Sequence, residues 1–305
     1  MKKRYPQAIL LSCEIPWDEK EELMEDLFRQ EIRDLLAKGF HHVYIFGTCG
    51  EGYAVDTRRF RQIVDIFVEE THREGIFPQV GTIGLSTANI IERLDYAHNK
   101  GIRMFQISLP SWGALDDDEV DTFFEDVCGA FPDSRFLHYN NPRAKRTLSG
   151  KDYRRVCDRV PNLAATKNGG TDMRKAYDLM TNAPELQHFF GEYLFPLGSL
   201  YGECSLLSSF GAVSPTKTRE LFAYVREGKI KELFELARRT NDVWAEVFAP
   251  SDYREAIDGA YDKMLVRFAG LPMPLRLLSP YHCFPEEVYQ KCKQILEEKY
   301  PDWLG

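Results

Sequence analysis

One arrangement recurs along this chain: a short apolar run, a turn, then a longer stretch whose apolar residues return at helical spacing. Strand-length runs fall at 8–12, 43–47, 79–82, 105–109, 136–140, 164–167, 188–191 and 205–207. Between them, Phe60, Ile63, Val64 and Phe67 share one helical face, as do Ile90, Ile91, Leu94 and Ala97, and then Val120, Phe123, Phe124 and Val127. Residues 19–38 read as the first helix, with Leu23, Leu27, Phe28, Ile32, Leu35 and Leu36 on its apolar side and Gly39 as its stop. Most successive strand ends lie about 25 to 35 residues apart, the length of one βα unit. Eight such units closing on themselves make an α/β fold of the (β/α)8 TIM-barrel type.

A doubly wound open sheet has the same local pattern, but it calls for a glycine-rich turn after the first strand. Ser12-Cys13-Glu14-Ile15-Pro16 is no such turn. From 215 to 300 only helical patterns remain, such as Leu221/Val225, Leu233/Leu236 and Val288/Cys292/Ile295/Leu296. The expected organisation is therefore a barrel core at 1–215. Residues 216–305 form the last barrel helix and a C-terminal helical extension within the same structural unit. A chain of 305 residues, 44% hydrophobic, suits that plan.

Charge and cysteine usage exclude several function classes. The net charge is -8 and its signs are interspersed, which argues against a nucleic-acid surface. The acidic run Asp116-Asp117-Asp118-Glu119 precedes an apolar helical pattern and reads as a cap and first turn rather than a cation site. Seven cysteines without C-x-x-C form neither a disulfide framework nor a zinc site. Seven histidines without H-x-H or H-E-x-x-H spacing leave no metal ligand set to expect, and a metal-dependent barrel hydrolase is disfavoured. No stretch approaches the roughly 18 apolar residues of a membrane span, and no signal-peptide pattern opens the chain. A cytoplasmic protein is expected.

In a parallel barrel the reactive groups stand at the C-terminal ends of the strands. Those ends carry Thr48-Cys49, Tyr139 and Lys167, with Trp112 in the loop after the fourth strand. A lysine closing an apolar strand either snorkels to solvent or sits desolvated, where it becomes a nucleophile toward a ketone. Tyr139 reads either as an aromatic filling the barrel mouth or as a phenol that moves protons. Gly47-Thr48-Cys49-Gly50-Glu51 suits a tight turn whose amides cradle a carboxylate, or an ordinary turn that needs its glycines.

Three segments together resemble the dihydrodipicolinate synthase/N-acetylneuraminate lyase family: GTCGE at 47–51, YNNP at 139–142 and NLAATKNGG at 162–170. The likeness extends through VGTIGLSTANIIERLDYAHNKGI at 80–102 and, more weakly, GECSLLSSFGAVSP at 202–215. The resemblance implies a (β/α)8 barrel, usually a homotetramer built as a dimer of dimers, acting on pyruvate or a related 2-oxo acid and an aldehyde. It needs no cofactor beyond the imine formed on the enzyme. Carried over, Lys167 forms the imine, Tyr139 shuttles protons, and Thr48 partners its hydroxyl. Cys49, Gly50, Gly191 and Cys204 become substrate-binding positions.

Two departures bear on the substrate. Cys49 stands where dihydrodipicolinate synthases have a second threonine, and Trp112 stands in the loop where they have a relay tyrosine. Arg143 and Arg146 are both candidates for an arginine that reads a second carboxylate. The sequence PSWGALDDDEVDTFFEDV around Trp112 is similar to the hydratase-aldolase branch, which cleaves aryl-substituted enone pyruvates. There Trp112 would stack on substrate or pack a subunit interface. The alternatives are a sugar-acid 2-oxo aldolase or dehydratase, dihydrodipicolinate synthase, and an inactive barrel that binds a small acid.

Overall fold

The computed structural model describes residues 4–252 and 256–305. Eight parallel strands form a closed barrel in sequence order: β1 (Ile9–Ser12), β2 (His42–Ile45), β3 (Phe77–Thr82), β4 (Met104–Ile107), β5 (Arg135–Tyr139), β6 (Leu163–Asn168), β7 (Gln187–Phe190) and β8 (Ser205–Ser208), with β8 paired back to β1. The helices between them are α1 (Glu25–Ala37), α2 (Thr57–Thr71), α3 (Thr87–Asn99), α4 (Asp117–Gly129), α5 (Gly150–Arg159), α6 (Met173–Asn182) and α7 (Phe195–Ser199). After β8 come α8 (Pro215–Glu227), α9 (Ile230–Val247), α10 (Asp258–Phe268) and α11 (Glu286–Lys299).

Successive side chains of a strand alternate between barrel axis and helix layer. Leu10, Tyr44, Leu137, Ala165 and Phe189 fill the axis. The opposite faces, with Val43, Ile45, Phe105 and Phe136, join Phe28, Ile63, Phe67 and Phe124 of the helices in the main core. The last helices build an apolar cluster around Trp244, Met264 and Trp303.

Several boundaries follow visible causes. Asp116 caps α4 and its side chain accepts from Glu119 N, while the Glu119 carboxylate returns to Asp116 N, so the acidic run is a capping box. Ser86 and Ser149 likewise cap α3 and α5. The first helix is shorter than its periodicity suggests. Trp17 bridges to Leu23 across a turn with Glu21 at φ 60°, so α1 starts only at Glu25. Strand β2 stops at Ile45 rather than Gly47, because Phe46 takes φ 63°. Between β7 and β8 the chain forms only the short helix α7.

Candidate active site

Lys167 and Tyr139 lie directly opposite each other in the β5–β6 register. Their neighbours Thr166 and His138 point outward instead, Thr166 to His188 at 2.7 Å and His138 to Tyr153 at 2.7 Å. Alternation then turns Lys167 and Tyr139 to the axis. The lysine is 2% exposed and the tyrosine 8%. The Lys167 Nζ donates to the Tyr44 hydroxyl at 2.8 Å and lies 4.4 Å and 4.1 Å from the ring centres of Tyr44 and Tyr139. An amine between two aromatic faces has lost most of its water. Burial lowers its pKa below the ordinary lysine range, against the pull of Cys49, Asp258, Asp262 and Glu14.

The turn after β2 is shaped by what packs on it. A Cβ at Gly47 would lie 2.7 Å from the Tyr44 ring and 3.3 Å from Lys167 Nζ. Cβ atoms at Gly52 or Gly81 would each strike the Phe46 carbonyl at 2.4 Å. The glycines here make room for the lysine and for the backbone of a residue held at positive φ. Thr48 Oγ1 donates to the Tyr139 hydroxyl at 3.3 Å. Burial raises the phenols of Tyr44 and Tyr139 above the usual tyrosine value, so both remain protonated donors at neutral pH.

A cavity of about 260 Å³ opens beside these groups. Cys49, Gly191, Lys167 and Tyr139 line it, as do Glu14, Tyr44, Glu192, Asp258 and Asp262. Gly50 and Thr48 stand behind the lining. A Cβ at Gly50 would meet Phe46 N at 2.9 Å, and Thr48 reaches the site through Tyr139. Cys204 does not reach the cavity: it is fully buried and its thiol donates to Phe195 O at 3.7 Å. Trp112 is 82% exposed and outside the lining. Lys145 donates to its carbonyl at 2.6 Å and lies 5.8 Å from its ring centre. The two candidate arginines part company. Arg146 is held by Leu115 O and Asp117, whereas Arg143 forks onto Asp258 at the cavity.

The YNNP asparagines are architectural. Asn140 bridges Leu148 and Asn168, and Asn141 caps the turn at Arg143 N.

Four site residues escape a reading by strand ends. Tyr44 lies inside a strand, where an aromatic reads as packing. Glu14 sits just past β1, in the segment read only for its lack of glycines. Asp258 and Asp262 belong to α10, whose Gly259 allows close approach: a Cβ there would lie 2.9 Å from Cys49 O. The only signal available was Asp258 and Asp262 at i, i+4, one face of a helix.

Ligand atoms of Glu14, Cys49 and Asp262 lie within 4.8 Å of one another, the grouping among the described residues able to hold a metal ion. Two lysines already balance these acids: Lys263 lowers the Glu14 pKa and Lys167 that of Asp262. Burial still dominates. It pushes Asp262 up to about 7, and it pushes Glu14 well above the carboxylate range, with Asp262 and Glu31 adding to the rise.

The sequence profile of the Dihydrodipicolinate synthetase family matches residues 6–299. The chain belongs to this family. It is a class I pyruvate-dependent lyase, the enzyme class of that family. N-acetylneuraminate lyase of Pasteurella multocida (strain Pm70) is 23% identical over 249 residues, 81% of this chain and 83% of that protein. Trans-O-hydroxybenzylidenepyruvate hydratase-aldolase of Pseudomonas putida is 25% identical over 142 residues, 47% of this chain and 43% of that protein. Among solved structures, dihydrodipicolinate synthase from Aquifex aeolicus superposes with a TM-score of 0.86 at 18% identity, covering 98% of this chain and 99% of that one. Among the described residues, no helix is long and apolar enough to cross a membrane.

Proposed function

We propose that this lyase makes or breaks a carbon–carbon bond to pyruvate through an imine on Lys167, without a metal or organic cofactor. The observation that carries the proposal is the 2%-exposed amine of Lys167, set between two tyrosine rings at the wall of an open cavity. Desolvation disfavours its ammonium form, which supplies the free amine that attacks a ketone. The nitrogen adds to the keto carbon, and the carbinolamine loses water to leave a protonated imine. Tyr139 gives its proton to the water that leaves the carbinolamine. In the cleavage direction the resulting phenolate takes the proton of the substrate hydroxyl as the bond breaks and its electron pair enters the imine to form an enamine. The aldehyde leaves. The enamine carbon is then protonated, and water releases pyruvate and the free amine. Tyr139 suits the proton transfers because Thr48 orients its hydroxyl and burial keeps the phenol protonated. The turn at Cys49 and Gly50 would hold the oxo-acid carboxylate on its amides, with Gly191 on the opposite wall.

For the partner, the cavity favours a sugar-derived 2-oxo acid over an aryl-substituted enone pyruvate. The lining carries four carboxyl groups, and the indole of Trp112 faces solvent. Trp112 then suits a subunit interface, in keeping with a cytoplasmic homotetramer.

Borohydride tests the proposal. Inactivation that requires both pyruvate and borohydride is expected. Activity that survives the pair, or loss with borohydride alone, would count against imine chemistry.

A further inference from the structure

The cavity wall beside Lys167 carries Glu14, Glu192, Asp258 and Asp262, and among the described lining residues Lys167 is the one cation. Resting on the imine reading above, this lining matches one anionic group, the carboxylate of the oxo acid. A second carboxylate, on the other half of the substrate, needs another cation.

Arg143 is the basic side chain placed to supply it. It follows Tyr139 by four positions, and its charge is felt at that phenol. Both its terminal nitrogens are already committed, Nη2 to Asp258 Oδ1 at 2.8 Å and Nη1 to Asp258 Oδ2 at 3.1 Å. This paired fork is the geometry a guanidinium would otherwise offer to a ligand carboxylate. The pair stands partly open to solvent, Arg143 51% and Asp258 36% exposed, and a ligand carboxylate that displaced Asp258 would leave it unpaired at the mouth of a cavity lined by Glu14 and Asp262. Hydroxyl groups meet no such conflict, since they donate to carboxylates and accept from carboxylic acids.

Glu192 takes less part. One of its oxygens is occupied by Ser208 Oγ and the amides of Ser209 and Phe210, which fixes the loop after β8.

We infer that Asp258 is a specificity-determining residue: by occupying Arg143 it bars a second carboxylate and leaves the site to an uncharged, hydroxyl-bearing partner.

Two five-carbon oxo acids that differ only at their far end test this. 5-Hydroxy-2-oxopentanoate and 2-oxoglutarate are each incubated with the full-length protein and borohydride, and adduct formation on Lys167 is timed by mass spectrometry, with pyruvate as reference. The hydroxyl compound is expected to trap about threefold to tenfold faster, the modest factor of a competition for a partly exposed ion pair. Asp258→Asn frees Arg143 and should shift the ratio toward 2-oxoglutarate by a similar factor. Asp258→Glu should restore the preference, and adding Arg143→Ala to Asp258→Asn should abolish the gain. The ratio within one variant cancels any general loss of folded protein. Equal trapping of the two compounds, trapping of neither while pyruvate traps, or a ratio unmoved by Asp258→Asn overturns the role of Asp258 alone. Failure of pyruvate itself to trap on Lys167 overturns the imine reading and this inference with it.

Discussion

At the scale of single residues, the chemistry turns on how the Lys167 amine is kept. Its ammonium form loses hydration to burial and regains part of that through the Tyr44 hydroxyl, which accepts its hydrogen bond. Tyr44→Phe removes an acceptor that favours the charged form, so the amine should become more acidic still. The acid limb of pyruvate-adduct formation, followed against pH, is expected to move to lower pH in this variant. A limb that stays in place or rises would remove Tyr44 from this role. Tyr139→Phe should slow turnover by about 10² to 10⁴-fold, the usual contribution of a positioned proton carrier, read as kcat. Asp262 gives a stability signature. Its folded value of about 7 lies above its ordinary 3.8. Folding therefore favours the protonated acid, a contribution complete below the ordinary value and lost as pH rises through the folded one. Asp262→Asn has no proton to lose. Thermal melts should place the variant above the wild type at pH 8, with the gap closing as pH falls toward 4; a gap constant with pH would contradict this reading.

At the scale of elements, the strand-end part of the site was legible and the helical part was not. Lys167 and Tyr139 end strands whose apolar runs are local signals, and parallel pairing puts them in register. Cys49 and Gly191 lie at strand ends as well, and both line the cavity. Cys204 also sits beside a strand, but before β8, where alternation and the packing of α7 turn its thiol into the wall. Trp112 lies in a loop, and a loop's direction has no period to read. The two acids that α10 brings to the site, Asp258 and Asp262, come from far along the chain, and their neighbour Lys263 meets Glu51 across 212 positions. Helical periodicity assigns them a face, yet says nothing of which end of the barrel the helix crosses. Gly259 marks that crossing. Gly259→Ala would press a methyl group onto the Cys49 carbonyl and push α10 off the turn. The expected outcome is slower adduct formation with the circular dichroism spectrum unchanged. An unaffected rate would show that the turn does not depend on α10.

At the scale of the whole molecule, one buried ion pair fastens the C-terminal helices to the barrel. Lys263 and Glu51 meet at 2.6 Å, both side chains wholly excluded from solvent. Glu51 also accepts from Trp17 Nε1 at 2.8 Å and Leu278 N at 2.6 Å, which joins the segment after β1, the turn after β2 and the chain beyond α10. Lys263→Met strands the carboxylate and should cost about 3–5 kcal/mol, measured by urea unfolding. Adding Glu51→Gln should recover part of that loss, because the stranded charge is gone. Recovery of nothing would place the cost in packing rather than charge.

These scales meet at one nitrogen atom. The most direct measurement is peptide mapping after pyruvate and borohydride treatment of the wild type and of Lys167→Arg. The expected result is a reduced pyruvate adduct confined to the peptide that carries Lys167 and absent from the variant. An adduct on a different lysine, or none at all, would contradict the assignment.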